Sequence, residues 1–166
     1  LLTADSLAGV LPTIRSRCVS FAIAPVSPAD CARYCTAHGV DKKTAVLYSE
    51  LFDGHIGTVL TAARDKARTE QVDKAMELAR AAQAGDSYTA AVLLAPYEKD
   101  KAGAAALLRD LRAVAAAGLQ GSPHAPVQGQ QAQRTLRLAE AAIQRLGAQV
   151  NPKIVLTVFA ARLAHA

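Results

Sequence analysis

The feature that most constrains this chain is a change of apolar period at Pro25. From Cys18 to Ile23 the pattern Cys-Val-Ser-Phe-Ala-Ile alternates with period two and is β-branched enough to predict a strand, which Pro25 stops. After Pro25 the spacing becomes three and four residues and stays so to the end. A helix-period pattern cannot bury one face as a strand, so the change predicts a domain boundary and a helical body. Composition agrees: aromatics are 4% and Trp is absent, while alanine is abundant, which disfavours a sheet protein and favours helices.

The local signals set helix ends. Ser27 with Pro28 in the first turn and Asp30 behind it predicts a helix start, and Gly39 its stop. Asp41 caps a second helix through Phe52, Gly54 breaks it, and a third runs from Ile56 to Arg64. Longer helices follow. Val72, Ala75, Met76 and Ala79 share a face, as do Leu107, Leu108, Leu111, Val114 and Ala115, and then Leu136, Ala139, Ile143, Leu146 and Val150. The run Ile-Val-Leu-Thr-Val-Phe at residues 154–159 is β-branched, but Asn151-Pro152 before it and Ala-Ala-Arg-Leu after it predict a buried helix. Residues 118–131, with two prolines and three glycines, read as a mobile link between bundle helices. No internal repeat is visible.

At the other end, Leu1-Leu2-Thr3 reads as the remnant of a strand cut from something larger, and Asp5 caps a short helical turn to Val10 that Pro12 interrupts. The fold class expected is therefore mainly α. The pattern predicts a strand-containing stretch before Pro25, a small three-helix unit after it, and longer helices from Thr69 onward.

The net charge of +5 equals the excess of the tail alone. Arg109, Arg112, Arg134, Arg137, Arg145, Lys153 and Arg162 stand there against Asp110 and Glu140. Such a bias permits contact with acidic proteins or nucleic acid, although a solvated helix face is the preferred reading. No apolar run long enough to span a bilayer and no signal-peptide pattern occurs, and three cysteines fit reduced thiols, so a cytoplasmic location is expected.

Candidate chemistry is sparse. His38, His55, His124 and His165 lack the Ser or Asp neighbours of a nucleophile elbow or triad. Cys31 and Cys35, four apart, could offer two thiolates to a metal with Cys18 or His38. Without a CxxC knuckle, small core cysteines are the preferred reading. No Gly-rich phosphate loop ending in Lys-Ser or Lys-Thr occurs.

One string is distinctive: PTIRSRC at residues 12–18, two arginines just before the expected strand. Read alone it is a basic surface turn. It resembles the Ser-Arg-Cys motif of the clamp-loader AAA+ family of bacterial DNA polymerase III, in its delta-prime and gamma branches.

The resemblance implies a good deal. Arg17 takes the place of the arginine finger, reaching across a subunit boundary to ATP held by a neighbour. Ser16 and Cys18 fix the turn, Arg15 is a flanking charge, and Thr3 occupies the sensor 1 position. Residues 1–24 then end the AAA+ nucleotide-binding domain, 25–66 form its lid, and 67–166 form the collar through which five subunits assemble. The implied partners are gamma/tau and delta subunits, the sliding clamp and, through the complex, primed DNA. This chain itself holds no cofactor.

Charge on the γ-phosphoryl oxygens during hydrolysis is what a fixed guanidinium in trans stabilises. One departure discriminates between branches. Where ATP-binding relatives place a lid arginine, the stretch Gly54-His55-Ile56-Gly57-Thr58-Val59-Leu60 has Thr58. That favours the delta-prime (stator) branch over a gamma-type ATPase. The remaining reading is a helical protein-interaction scaffold in which PTIRSRC is chance.

Overall fold

A computed structural model describes residues 1–4, 7–24, 26–148 and 150–164. The expected cap at Asp5, the stop at Pro25 and His165 lie outside the described residues.

The chain is mainly helical, and no strand occurs among the described residues. A 3-10 turn at Leu7–Gly9 precedes a single helical turn, α1 (Pro12–Arg15). Three short helices follow, α2 (Pro28–Ala37), α3 (Lys42–Leu51) and α4 (Ile56–Arg64). The larger part is α5 (Lys66–Ala84), α6 (Ser87–Leu94), a 3-10 turn at Ala95–Tyr97, α7 (Lys101–Leu119), α8 (Gly129–Gly147) and α9 (Pro152–Ala164).

The starts follow from their caps. Ser27 Oγ accepts from the Asp30 N–H at 3.1 Å, with Pro28 in the first turn where its missing N–H costs nothing. The Asp41 carboxylate accepts from the N–H groups of Lys43 and Thr44 at 3.0 and 3.2 Å. Asn151 Oδ1 accepts from the Lys153 N–H at 2.9 Å. Asp65 ends α4 and caps α5 through the Ala67 N–H, so those two helices meet at one residue without a linker.

One hydrophobic core runs through both helical parts, from Cys31, Tyr48 and Val59 to Leu107, Leu111 and Phe159. Every apolar position expected on the α5 and α7 faces is buried. On α8 the stripe shifts. Ala132, Thr135, Ala139, Ala142 and Leu146 are buried, while Leu136 and Ile143 are partly buried. Small residues there let α8 lie closely against α7, its principal neighbour. Val150 falls beyond the end of α8 and is exposed, because the helix stops at Gly147.

One expectation needs correction. The strands at residues 1–3 and 18–23 are absent: both segments are irregular and exposed. A strand needs a second strand to accept its ladder hydrogen bonds, and the described residues contain none. Residues 118–131 do join α7 to α8, and part of the link is packed. Val127 is fully buried, and its carbonyl oxygen sits 1.9 Å from where a Cβ on Gly118 would be, so only glycine allows that approach. The Gln128 N–H donates to Gln83 Oε1 at 2.9 Å.

Candidate functional site

The PTIRSRC string folds as a tight, self-contained turn. Pro12 opens α1 after Leu11, whose extended φ and ψ are −54° and 137°. The N–H groups of Arg17 and Cys18 donate to the carbonyls of Ile14 and Arg15 at 3.1 and 3.3 Å, carrying the winding past the helix end. Ser16 Oγ donates to the Thr13 carbonyl at 3.2 Å, which fixes the residue before Arg17.

All seven side chains of the turn are exposed. Arg17 has no acidic partner among the described residues, so its guanidinium keeps its five donors for an incoming anion. Thr3 is also exposed, in irregular chain, and no hydrogen bond links it to Arg17, Ser16 or Cys18. Thr58 lies exposed on α4.

Cys31 and Cys35 are fully buried, unlike exposed Cys18. Burial, with Cys31 alongside, pushes the Cys35 thiol up to about 11. Such thiols are poor nucleophiles at neutral pH. Among the described residues no three His, Cys, Asp or Glu side chains gather as metal ligands.

His38 stacks on Tyr34, ring centroids 4.0 Å apart, with Nδ1 2.8 Å from the Tyr34 carbonyl. His124 Nδ1 lies 3.3 Å from Glu50 Oε2, and Ser122 Oγ donates to the same oxygen. The acid therefore stands between serine and histidine. In a nucleophilic triad the histidine must stand between them, so this cluster ties the α7–α8 loop to α3 instead of activating Ser122.

The structure adds two features that the sequence reading did not reach. Asp110, buried on α7, accepts from both terminal nitrogens of Arg68, the Nη2 to Oδ1 contact being 2.5 Å, and from Gln71 Nε2 at 2.8 Å. Arg68 lies over the Phe52 ring, 5.8 Å from its centroid. Hydrogen bonding to Asp110 holds the Arg68 guanidinium above its usual range. A signal was present: Asp110 falls between Leu107 and Leu111 on the apolar face of α7. The second feature is a groove of about 980 Å³ between α2 and α3, lined by Ala29, Ala32 and Val46 together with Lys42 and Glu50.

No helix among the described residues is long and apolar enough to cross a membrane. Comparison with protein families, curated proteins and solved structures gives no match for this chain.

Proposed function

We propose that this chain is part of a clamp-loader subunit of bacterial DNA polymerase III, of the delta-prime type. It supplies Arg17 as an arginine finger in trans, and its helical body provides the contacts that hold the assembly together. The observation that carries this reading is the PTIRSRC turn itself, with Arg17 exposed, unpaired by any described acid and set on a bonded turn. A group that must meet a neighbour's γ-phosphate needs that exposure and that local rigidity.

In this reading Ser16 and Cys18 shape the turn and Thr3 has the sensor 1 role. Helices α2–α4 are the lid and α5–α9 the collar. ATP is held by a neighbouring gamma/tau subunit, and the chain acts as a non-catalytic subunit of a DNA-directed DNA polymerase, a nucleotidyltransferase, in the cytoplasm. Thr58 in place of a lid arginine favours this over a gamma/tau-type ATPase or a related AAA+ factor. The wider partners are delta, the sliding clamp and primed DNA.

Chemically, a guanidinium at position 17 offers paired N–H donors to two phosphoryl oxygens at once. Stabilising charge that grows only toward the transition state raises turnover without tightening ground-state binding. A second reading, a helical protein-interaction scaffold, is favoured by the α2–α3 groove.

The test is ATP turnover in an assembly reconstituted from the full-length parent, gamma and delta subunits, clamp and primed DNA. Arg17→Ala is expected to leave assembly intact and to lower stimulated hydrolysis by about 10³-fold, the scale on which arginine fingers act. A parent that neither joins the assembly nor alters its turnover would leave the scaffold reading in place.

A further inference from the structure

The outer surface of α7 and α8 carries four exposed arginines against one exposed acid, Glu140. The two helices run antiparallel: Arg112 on α7 lies 3.9 Å from Glu140 on α8, while Gly118 near the end of α7 meets Val127 just before α8. Arg109, Arg112, Arg137 and Arg145 are exposed on this pair. Arg134 is half-buried and donates to the Arg162 carbonyl at 2.7 Å, which leaves it a flanking charge.

Between residues 101 and 164 the chain has two acids, Asp110 and Glu140. Asp110 is buried and already neutralised by Arg68, so Glu140 alone opposes the arginines at the surface. Helical spacing places Arg137 opposite the buried line of Ala132, Ala139 and Leu146, and Arg109 opposite Leu107 and Leu111 on α7. Both guanidinium groups therefore point outward from neighbouring helices.

The class of partner follows from what accompanies the charge. A protein interface needs apolar or aromatic anchors that become buried at its centre. Over residues 101–148 the one large apolar side chain standing exposed is Leu119, at the far end of α7. Single-stranded nucleic acid needs aromatic platforms for its bases. Residues 101–148 contain no Phe, Tyr or Trp. What remains suits a duplex phosphate backbone, which presents closely spaced anions and asks for no stacking. The cations also fit: from 102 to 152 every one is Arg and none is Lys, and the guanidinium fork matches phosphate oxygens in pairs.

We infer that the outer surface of α7 and α8 binds the phosphate backbone of double-helical nucleic acid, without regard to sequence, through Arg109, Arg112, Arg137 and Arg145. No residue of the PTIRSRC turn takes part. The inference thus stands or falls separately from the arginine-finger reading.

The experiment is fluorescence anisotropy of the protein with a mixed-sequence DNA duplex of about 20 base pairs, titrated between about 50 and about 200 mM salt. Two variants accompany it. One carries Arg109→Gln, Arg137→Gln and Arg145→Gln, and the other Lys42→Gln, Lys43→Gln and Lys66→Gln, which removes the same charge away from the surface in question. The wild type is expected to bind with a steep salt dependence. The arginine variant should lose tenfold or more in affinity and flatten the logarithmic salt slope by about 2.7, the value for three lost phosphate contacts. The lysine variant should keep most of both, and circular dichroism should report intact helices throughout.

Several results overturn the inference: no salt-dependent binding at low salt, equal losses in the two variants, or polyglutamate or a single strand competing as well as duplex. Equal losses mean general charge attraction. Effective competition by polyglutamate means that the surface takes acidic proteins instead.

Discussion

Residues 18–23, CVSFAI, and residues 154–159, IVLTVF, are both β-branched apolar runs, yet one lies irregular in solvent and the other is a helix that buries one face while Ile154 and Thr157 stay exposed, not the wholly buried helix expected. Val19, Phe21 and Ile23 are 81%, 85% and 96% exposed, whereas Val155, Leu156 and Phe159 are buried at 3% or less. Intrinsic preference would have made both strands. What separates them is context. Residues 154–159 follow a cap at Asn151-Pro152 and meet α6 and α8, whose apolar faces need covering. Residues 18–23 have the alternation of a strand with no neighbour to complete a ladder. Tertiary burial decides the conformation of an apolar run, and local pattern decides it only where both agree.

The contrast extends to the candidate site residues. The same arm that buries none of its described residues between 1 and 24 carries Arg17, Ser16, Cys18 and Thr3, while the body buries Cys31, Cys35 and Asp110. Substitutions should therefore separate the two regions sharply. The largest effect is expected at Asp110→Ala. It removes the carboxylate that satisfies Arg68 and Gln71 and leaves a partly buried cation unpaired, at about 3–5 kcal/mol in urea unfolding. A loss below about 1 kcal/mol would show that water replaces the carboxylate at little cost.

Gly118→Ala comes next. A Cβ there meets the Val127 carbonyl oxygen at 1.9 Å, so the α7–α8 loop must shift, at about 1–3 kcal/mol. An unchanged midpoint would mean that the loop is the mobile link its composition suggested. Phe21→Ala, in the arm, should change stability by less than about 0.5 kcal/mol despite removing a whole aromatic ring, because nothing buried is lost.

Thiol labelling sharpens the comparison without mutation. At pH 8 Cys18 should react with a maleimide promptly, and Cys31 and Cys35 only at the rate of unfolding. The pH dependence follows from Cys35. Burial raises its folded value to about 11, so the unfolded thiol ionises first. Stability from this group is complete below the unfolded value of 9.0 and is lost as pH rises toward about 11. Replacing Cys35 by Ala should flatten that decline.

Much of the helical layout was legible because it is written in local chemistry. Ser27-Pro28, Asp41, Gly39 and Asn151-Pro152 each solve a backbone problem at a helix end, and the structure uses every one. Gly85-Asp86, a left-handed glycine followed by a cap, would have revealed α6 by the same logic. The strand at 18–23 misled, and the packing of Val127 in the 118–131 link was not visible, because both depend on long-range partners. Alternation states that a partner is wanted, and glycine and proline state that a turn is possible, but neither states what packs there. The PTIRSRC string was legible as a basic surface turn, and the structure has it so, while the hydrogen bonds of Ser16, Arg17 and Cys18 that wind it were not. Asp110 was passed over as one of two acids in a basic tail, although its place between Leu107 and Leu111 marks it as buried.

The central claim is that Arg17 acts as a guanidinium on a phosphate held by another subunit, and Arg17→Lys tests it most directly. A lysine keeps the charge and loses the planar fork. In the reconstituted assembly, Arg17→Lys should form the complex normally yet remain within about tenfold of Arg17→Ala in stimulated ATP turnover, far below wild type. Turnover restored to the wild-type rate by lysine would mean that charge alone suffices, and wild-type turnover in Arg17→Ala would contradict the arginine-finger role outright.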